Sequence, residues 1–203
     1  ESKRDFHAPT SSLSMLGNGN FHLKTNNGTE IMPATDYAHA QMASRLSVPK
    51  PYYDRMRRES SDLLATNVNH WLGEKQRETS LIRTLRGQVR AFLSNRYRIV
   101  DNHEILAIAI PELADNNDLK VVSCNVTEEK MYVKVINTSI EAAISVGDVV
   151  QAGFTISNGE LGNGSISVEP TIYRLICTNG MSVPDRKIRK NHAGRATENA
   201  DLY

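Results

Sequence analysis

Gly87-Gln-Val-Arg-Ala-Phe-Leu-Ser-Asn-Arg-Tyr-Arg-Ile-Val-Asp101, taken as one strand, alternates with period two. Arg90, Phe92, Ser94, Arg96 and Arg98 fall on one face, and Val89, Ala91, Leu93, Tyr97 and Ile99 on the other. The second face suits a core. The first sets three guanidiniums around an aromatic ring; guanidiniums bind phosphates, and an exposed ring gives a base a surface to stack on. The plain alternative is a solvated sheet face, its guanidiniums paired with the acids that follow.

The charge around this stretch is uneven. Seven basic residues and two acids lie between Glu74 and Arg98, while Asp101 to Asp118 holds five acids and no Lys or Arg. Arg83 and Arg86 extend the basic footprint upstream, where a helical approach puts both on one side. A second cluster, Arg186, Lys187, Arg189, Lys190 and Arg195, lies in the polar tail, and such arms track phosphate backbones or simply add solubility. The net charge of +1 hides both footprints.

Outward from the arginine strand, the pattern predicts α+β: a mainly antiparallel sheet of four or five strands, an N-terminal helical layer and one inserted helix. At 203 residues, 39% of them hydrophobic, the chain can bury a sizeable core. Residues 1–34 read as a polar segment with a small hairpin, Phe21–Leu23 and Thr29–Ile31 flanking Asn26-Asn27-Gly28. Residues 35–182 read as a single α+β domain, and 183–203 as a basic, mobile tail. Thr35 caps a helix to about Leu46, a second starts near Pro51 or Tyr52, and a third covers Asp62 to Leu72, ending at Gly73. Ala38 to Met56 has the rhythm of a helix-turn-helix in which Tyr53, Asp54, Arg57 and Arg58 would read DNA. A helical hairpin packing its apolar stripe is the preferred reading. Asp101 or Asn102 caps an inserted helix from His103 to about Ala114. Two strand pairs follow: Leu119–Val126 with Met131–Ile136, and Asp148–Ile156 with Ser165–Cys177.

Catalytic chemistry finds little support. The six histidines are scattered, no metal-binding spacing of Cys or His appears, and no nucleophile elbow is present. No catalytic residue, metal or cofactor is assigned. The glycine-rich stretch 157–164 joins two strands rather than a strand to a helix, so it reads as a deformable turn and not a phosphate loop. Glu160 within it reads as a solvated carboxylate. Cys124 and Cys177 read as buried, inert thiols in a reducing cytosol. No apolar run approaches the ~20 residues of a membrane span, the longest ending at Pro111. A start without Met and the end at Tyr203 suggest a partial chain.

Five segments in order resemble the phage/plasmid-like family known as domain of unknown function 932. They are Ala38-x-x-Gln41-x-Ala43-x-x-Leu46-x-Val48-Pro49-x-x-Tyr52; Asn67-x-Asn69-x-Trp71-Leu72; Arg86-x-x-x-Arg90-Ala-Phe-Leu-Ser-x-Arg96-Tyr97-x-x-x-Asp101-Asn102; Gly153-Phe-x-Ile-Ser-Asn158-x-Glu160-x-Gly162; and Arg174-Leu-Ile-Cys177-Thr-Asn179-Gly180. Gly159 departs from the Ser expected in the Asn-Ser-Glu form, which makes the loop more flexible. The resemblance implies residence in phages, prophages and plasmids beside replication and recombination genes, and it supplies no catalytic residues.

The expected function is non-enzymatic nucleic-acid binding in a bacterial cytoplasm, with single-stranded DNA favoured, for annealing in recombination or replication. Arg83, Arg86, Arg90, Arg96 and Arg98 hold phosphates, Phe92 stacks on bases (or Tyr97, if Ser94-Asn95 is a turn), and the tail cluster extends the contact. Homo-oligomerisation is expected and a membrane partner is not. Two other readings stand beside it: a phage protein that binds and inhibits a host defence or regulatory protein, and a metal-dependent nuclease.

Overall fold

The computed structural model describes residues 3–25, 28–75, 78–145, 148–174, 182–184 and 188–190. The chain divides into two compact units, Glu1–Tyr97 and Arg98–Tyr203. Both are α+β with antiparallel strand pairing.

The first unit runs β1 (Lys3–Pro9), a 3-10 turn (Thr10–Ser12), β2 (Leu13–Met15), β3 (Phe21–Thr25), β4 (Gly28–Met32), α1 (Asp36–Arg45), α2 (Lys50–Glu59), α3 (Ser61–Glu74), β5 (Thr79–Leu85) and β6 (Gln88–Ser94). Its sheets are β1-β5-β6 and β2-β3-β4. The hairpin expected at residue 28 is β3 and β4, paired down to Thr25 and Gly28, while Asn26 and Asn27 lie outside the described residues. Thr35 caps α1, its Oγ1 accepting the Ala38 N–H at 3.2 Å. Ser47, at φ 56°, turns the chain out of that helix. Asn69 on α3 fastens to β2, donating to Met15 O at 2.8 Å and accepting the Met15 N–H at 2.7 Å.

The helices deliver Ala38, Met42, Tyr53, Met56, Leu64 and Val68 to one core, together with Phe21, Leu23, Ile82, Val89 and Phe92 from the strands. The helical-hairpin reading of 38–56 therefore describes what forms. Tyr53 is fully buried, Asp54 pairs with Lys50, and Arg57 pairs with Asp36 at 2.6 Å, so three of the four residues proposed to read DNA are taken up by internal contacts, while Arg58 is exposed.

Three expectations change here. Residues 1–34 are not an appendage, because β1 pairs with β5 along its whole length and Leu13, Met15, Phe21 and Leu23 sit in the core. The boundary falls at 97/98 instead of 34/35. The segment around Arg83 is strand β5, not a helical approach. The arginine strand also ends at Ser94, and its alternation breaks within it. Ala91 pairs with Arg83 but Val89 with Thr84, leaving Arg90 unmatched in a β-bulge. One extra residue reverses the phase of every side chain beyond it. Phe92 thus joins Val89 in the core instead of facing away from it.

The second unit runs α4 (Asn102–Asp115), β7 (Leu119–Val126), β8 (Lys130–Ser145), β9 (Asp148–Gly159), β10 (Ile166–Arg174), β11 (Ser182–Pro184) and β12 (Ile188–Lys190). Its sheet has the order β11-β10-β9-β8-β7, with β12 also paired to β10. Ile105, Leu106, Ala109 and Leu113 of α4 pack on Met131, Val133 and Val135 of β8 and on Phe154 and Ile156 of β9. The helix runs on through Pro111. Part of the expected mobile tail is backbone-paired strand, β11 and β12, and residues 185–187 and 191–203 lie outside the described residues.

Glu160 corrects another expectation. It is 7% exposed, and its Oε1 accepts the Asn102 N–H at the start of α4 at 2.8 Å. Asn158 reaches the same place, donating from Nδ2 to Val100 O at 3.1 Å and Asn102 Oδ1 at 2.9 Å. A carboxylate suits the positive end of a helix. Two of the quoted segments, Asp101-Asn102 and Asn158-x-Glu160, therefore form one clasp between helix and loop.

Candidate functional site

Folding scatters the cations that the sequence gathers. Arg83 lies opposite Asp5 in the β1–β5 register and is fully buried, its Nε donating to Asp5 Oδ2 at 3.1 Å. A buried guanidinium held by a carboxylate cannot also meet a phosphate, so Arg83 leaves the candidate site. Phe92 leaves it too: the ring is 5% exposed, with its centroid 4.8 Å from that of Phe21. Arg86 sits exposed at the tip of the β5–β6 hairpin, where Arg86 (φ 53°) and Gly87 (φ 75°) form a two-residue loop of the kind that demands positive φ. Arg90 is half-buried at the bulge.

Arg96 is exposed beyond the far end of β6, a strand of seven residues. Arg86 and Arg96 thus stand more than about 20 Å apart at 3.3 Å per residue. A turn does form at Ser94, whose carbonyl accepts the Tyr97 N–H at 3.0 Å, and the Tyr97 side chain is half-buried. Arg98 is exposed and belongs to the second unit. Arg189 and Lys190 lie on β12, opposite Ser167 and Ile166 in the register, and Arg186, Lys187 and Arg195 are outside the described residues. Several cations of the first unit are paired with acids within it, among them Arg4 with Glu30, Arg45 with Glu78 and Arg55 with Glu59.

A different surface emerges in the second unit. Residues directly opposite in a sheet share a face, so the register sorts every side chain once α4 is known to cover Met131, Val133 and Val135. The face turned away from α4 carries Lys130, Tyr132 and Lys134 from β8, and Lys120, opposite Ile136, from β7. Beside them lie Thr155 and Ser157 of β9, then Ser167, Glu169, Thr171 and Tyr173 of β10; Ser167, Thr171 and Tyr173 are buried, so the open part of this face is its β7–β8 side. Lys120 is exposed, and Lys130, Tyr132 and Lys134 are half-buried. None of the three lysines forms an ion pair among the described residues. The stretch Lys130-Met-Tyr-Val-Lys-Val135 shows this face in the sequence, as a strict alternation of polar or aromatic with apolar residues.

At one end of the face, beneath the loop joining β9 to β10, lies a cavity of about 200 Å³. Lys130, Ser157, Gly159, Asn163, Gly164 and Ser167 line it. Ser157 Oγ and Ser167 Oγ are 2.7 Å apart, and Ser167 Oγ donates to Glu169 Oε1 at 3.0 Å. Asn163 Nδ2 donates to Glu129 Oε2 at 2.8 Å, while its Oδ1 is buried without a partner. A Cβ built on Gly159 would fall on that Oδ1. The Asn163 amide therefore occupies the space where a side chain at 159 would begin, which gives the departure at this position a packing consequence.

A strongly perturbed histidine lies in the first unit's core. His39 is 3% exposed, its Nδ1 2.9 Å from the Tyr53 hydroxyl. Burial, with Arg57 adding to it, lowers the imidazole to about 4, and burial raises the Tyr53 phenol. Cys124, expected to be buried, is exposed on β7, and Cys177 lies outside the described residues. Among the described residues, no group of three or more His, Cys, Asp or Glu side chains is placed to hold a metal ion. None of the described helices is long and apolar enough to cross a membrane.

A family model described as "Domain of unknown function (DUF932)" matches residues 90–201. The quoted segments at 38–52 and 67–72 precede the matched residues. No curated protein and no solved structure matches the chain.

Proposed function

The chain belongs to the DUF932 family, whose description assigns no chemistry, and from the geometry of its own residues we propose that it binds single-stranded nucleic acid without catalysing a reaction. The contact surface is the face of the second unit's sheet turned away from α4. One observation carries this reading: Lys120, Lys130 and Lys134 share that face with Tyr132, and none of the three has an ion-pair partner among the described residues. Lysines lining a groove follow the phosphates, and an aromatic ring between them gives a base a stacking surface. The resemblance to phage and plasmid proteins favours a mobile element as the setting, with strand annealing by an oligomer as the specific activity.

The test is fluorescence polarisation with single- and double-stranded oligonucleotides over a salt series. On a single strand, each phosphate neutralised contributes ~0.7 to the slope of log affinity against log salt. Replacing Lys120, Lys130 and Lys134 together by Ala should lower that slope by about 2. No binding at the lowest salt sinks the proposal, as does a triple variant that keeps the parent slope.

A further inference from the structure

We infer that the cavity beneath the β9–β10 loop receives a ribose unit, its phosphate on Lys130 and its 2′-hydroxyl donating to Asn163, so that the protein prefers RNA to DNA. The inference rests on the proposed binding face and adds to it the class of strand that the face selects.

The hydrogen bonds inside the cavity decide what a ligand must offer. Glu129 presents a carboxylate to Asn163 Nδ2 at 2.8 Å, and a carboxylate accepts only, so the amide is oriented with Oδ1 turned away from it. That oxygen is buried and unpartnered. A hydroxyl has one hydrogen, and Ser167 gives its own to Glu169 Oε1. The 2.7 Å bond between Ser157 and Ser167 must then be donated by Ser157. Ser157 is left with lone pairs alone. Lys130, Ser157 and Asn163 thus line the same space, with the Asn163 carbonyl oxygen buried in its wall, and a complementary ligand carries hydrogen-bond donors beside a negative charge.

Within a polynucleotide, the donor nearest a backbone phosphate is the ribose 2′-hydroxyl, and it is also the group that separates RNA from DNA. Space permits it. About 200 Å³ corresponds to about six waters at ~30 Å³ each, room for a sugar and its phosphate. The position suits as well, because Lys130 both lines the cavity and ends the lysine row of β8.

The experiment compares oligo(rU) with oligo(dU) of equal length, which differ only in the 2′-hydroxyl, at one salt concentration. Oligo(rU) should bind roughly fivefold more tightly, the worth of one net hydrogen bond. Asn163→Leu should abolish the difference between the two. Gly159→Ala, whose methyl displaces the Asn163 amide, should do the same by a separate route. Equal affinities in the parent protein overturn the inference and leave the binding face standing. A difference that survives both variants overturns the assignment to this cavity. Failure of both oligonucleotides to bind removes the proposed function and the inference with it.

Discussion

Lowering the pH from 7 to 4.5 should destabilise the first unit through one residue, His39. The folded state holds this imidazole neutral down to about 4, whereas an exposed histidine titrates at 6.5. Between those values the unfolded chain binds more protons than the folded one, so stability falls as pH falls. The linkage gives a loss of about 1.2 kcal/mol at pH 5.5 and about 2.4 kcal/mol at pH 4.5, relative to pH 7. Asp36 and Glu78 have carboxyls held below their usual range, Asp36 by Arg57 and Glu78 by Lys75 and Arg45 against an opposing burial effect. Their stabilisation is lost as pH falls from the ordinary values of 3.8 and 4.5 through the lowered ones, so most of the window above 4.5 belongs to His39. Urea unfolding followed by fluorescence reads the correct unit, because Trp71, the only tryptophan, lies on α3. His39→Gln should flatten the profile whatever it does to stability at neutral pH. A parent profile already flat from 7 to 4.5, or a slope that persists in the variant, refutes the reasoning.

Phe92→Ala should cost about 3–5 kcal/mol, the usual penalty for emptying a buried aromatic site, measured by the same unfolding curve; a variant as stable as the parent would return Phe92 to the candidate surface. Glu160→Ala should free the Asn102 N–H and cost about 1.5–3 kcal/mol, as for a lost hydrogen bond to a charged group, whereas Glu160→Gln keeps an acceptor and should retain most of it. Amide exchange at Asn102 is the direct readout, and protection unchanged in Glu160→Ala would show that the clasp contributes nothing.

Local chemistry was legible in the sequence, and phase and pairing were not. Thr35 as a helix cap, the hairpin ending at Gly28 and the two strand pairs after residue 118 follow from signals a few residues long. The bulge at Arg90 leaves no such signal, since its cause is a register chosen jointly with β5. Misplacing that one residue turned Phe92 outward and made an exposed stripe of a core position. Arg83 misled for a related reason: its partner is Asp5, 78 residues away, so no neighbouring residue reveals that its charge is already satisfied. The lysine face of β8 was visible as alternation in 130–135, but the seven basic residues upstream form the louder signal.

The same pairing of β1 with β5 governs how the first unit comes into being. Chains leave the ribosome at about 5–20 residues per second, so the 78 residues between Asp5 and Arg83 take about 4–16 s to appear. Throughout that interval β1 has no strand to join, and β2–β4 and the three helices are complete before β5 has emerged. The nascent unit is thus a helical layer with its covering sheet unmade, exposing Met42, Leu64 and Val68 to whatever is near. Closure comes late, when β5 joins β1 and β6 then adds to the other edge of β5.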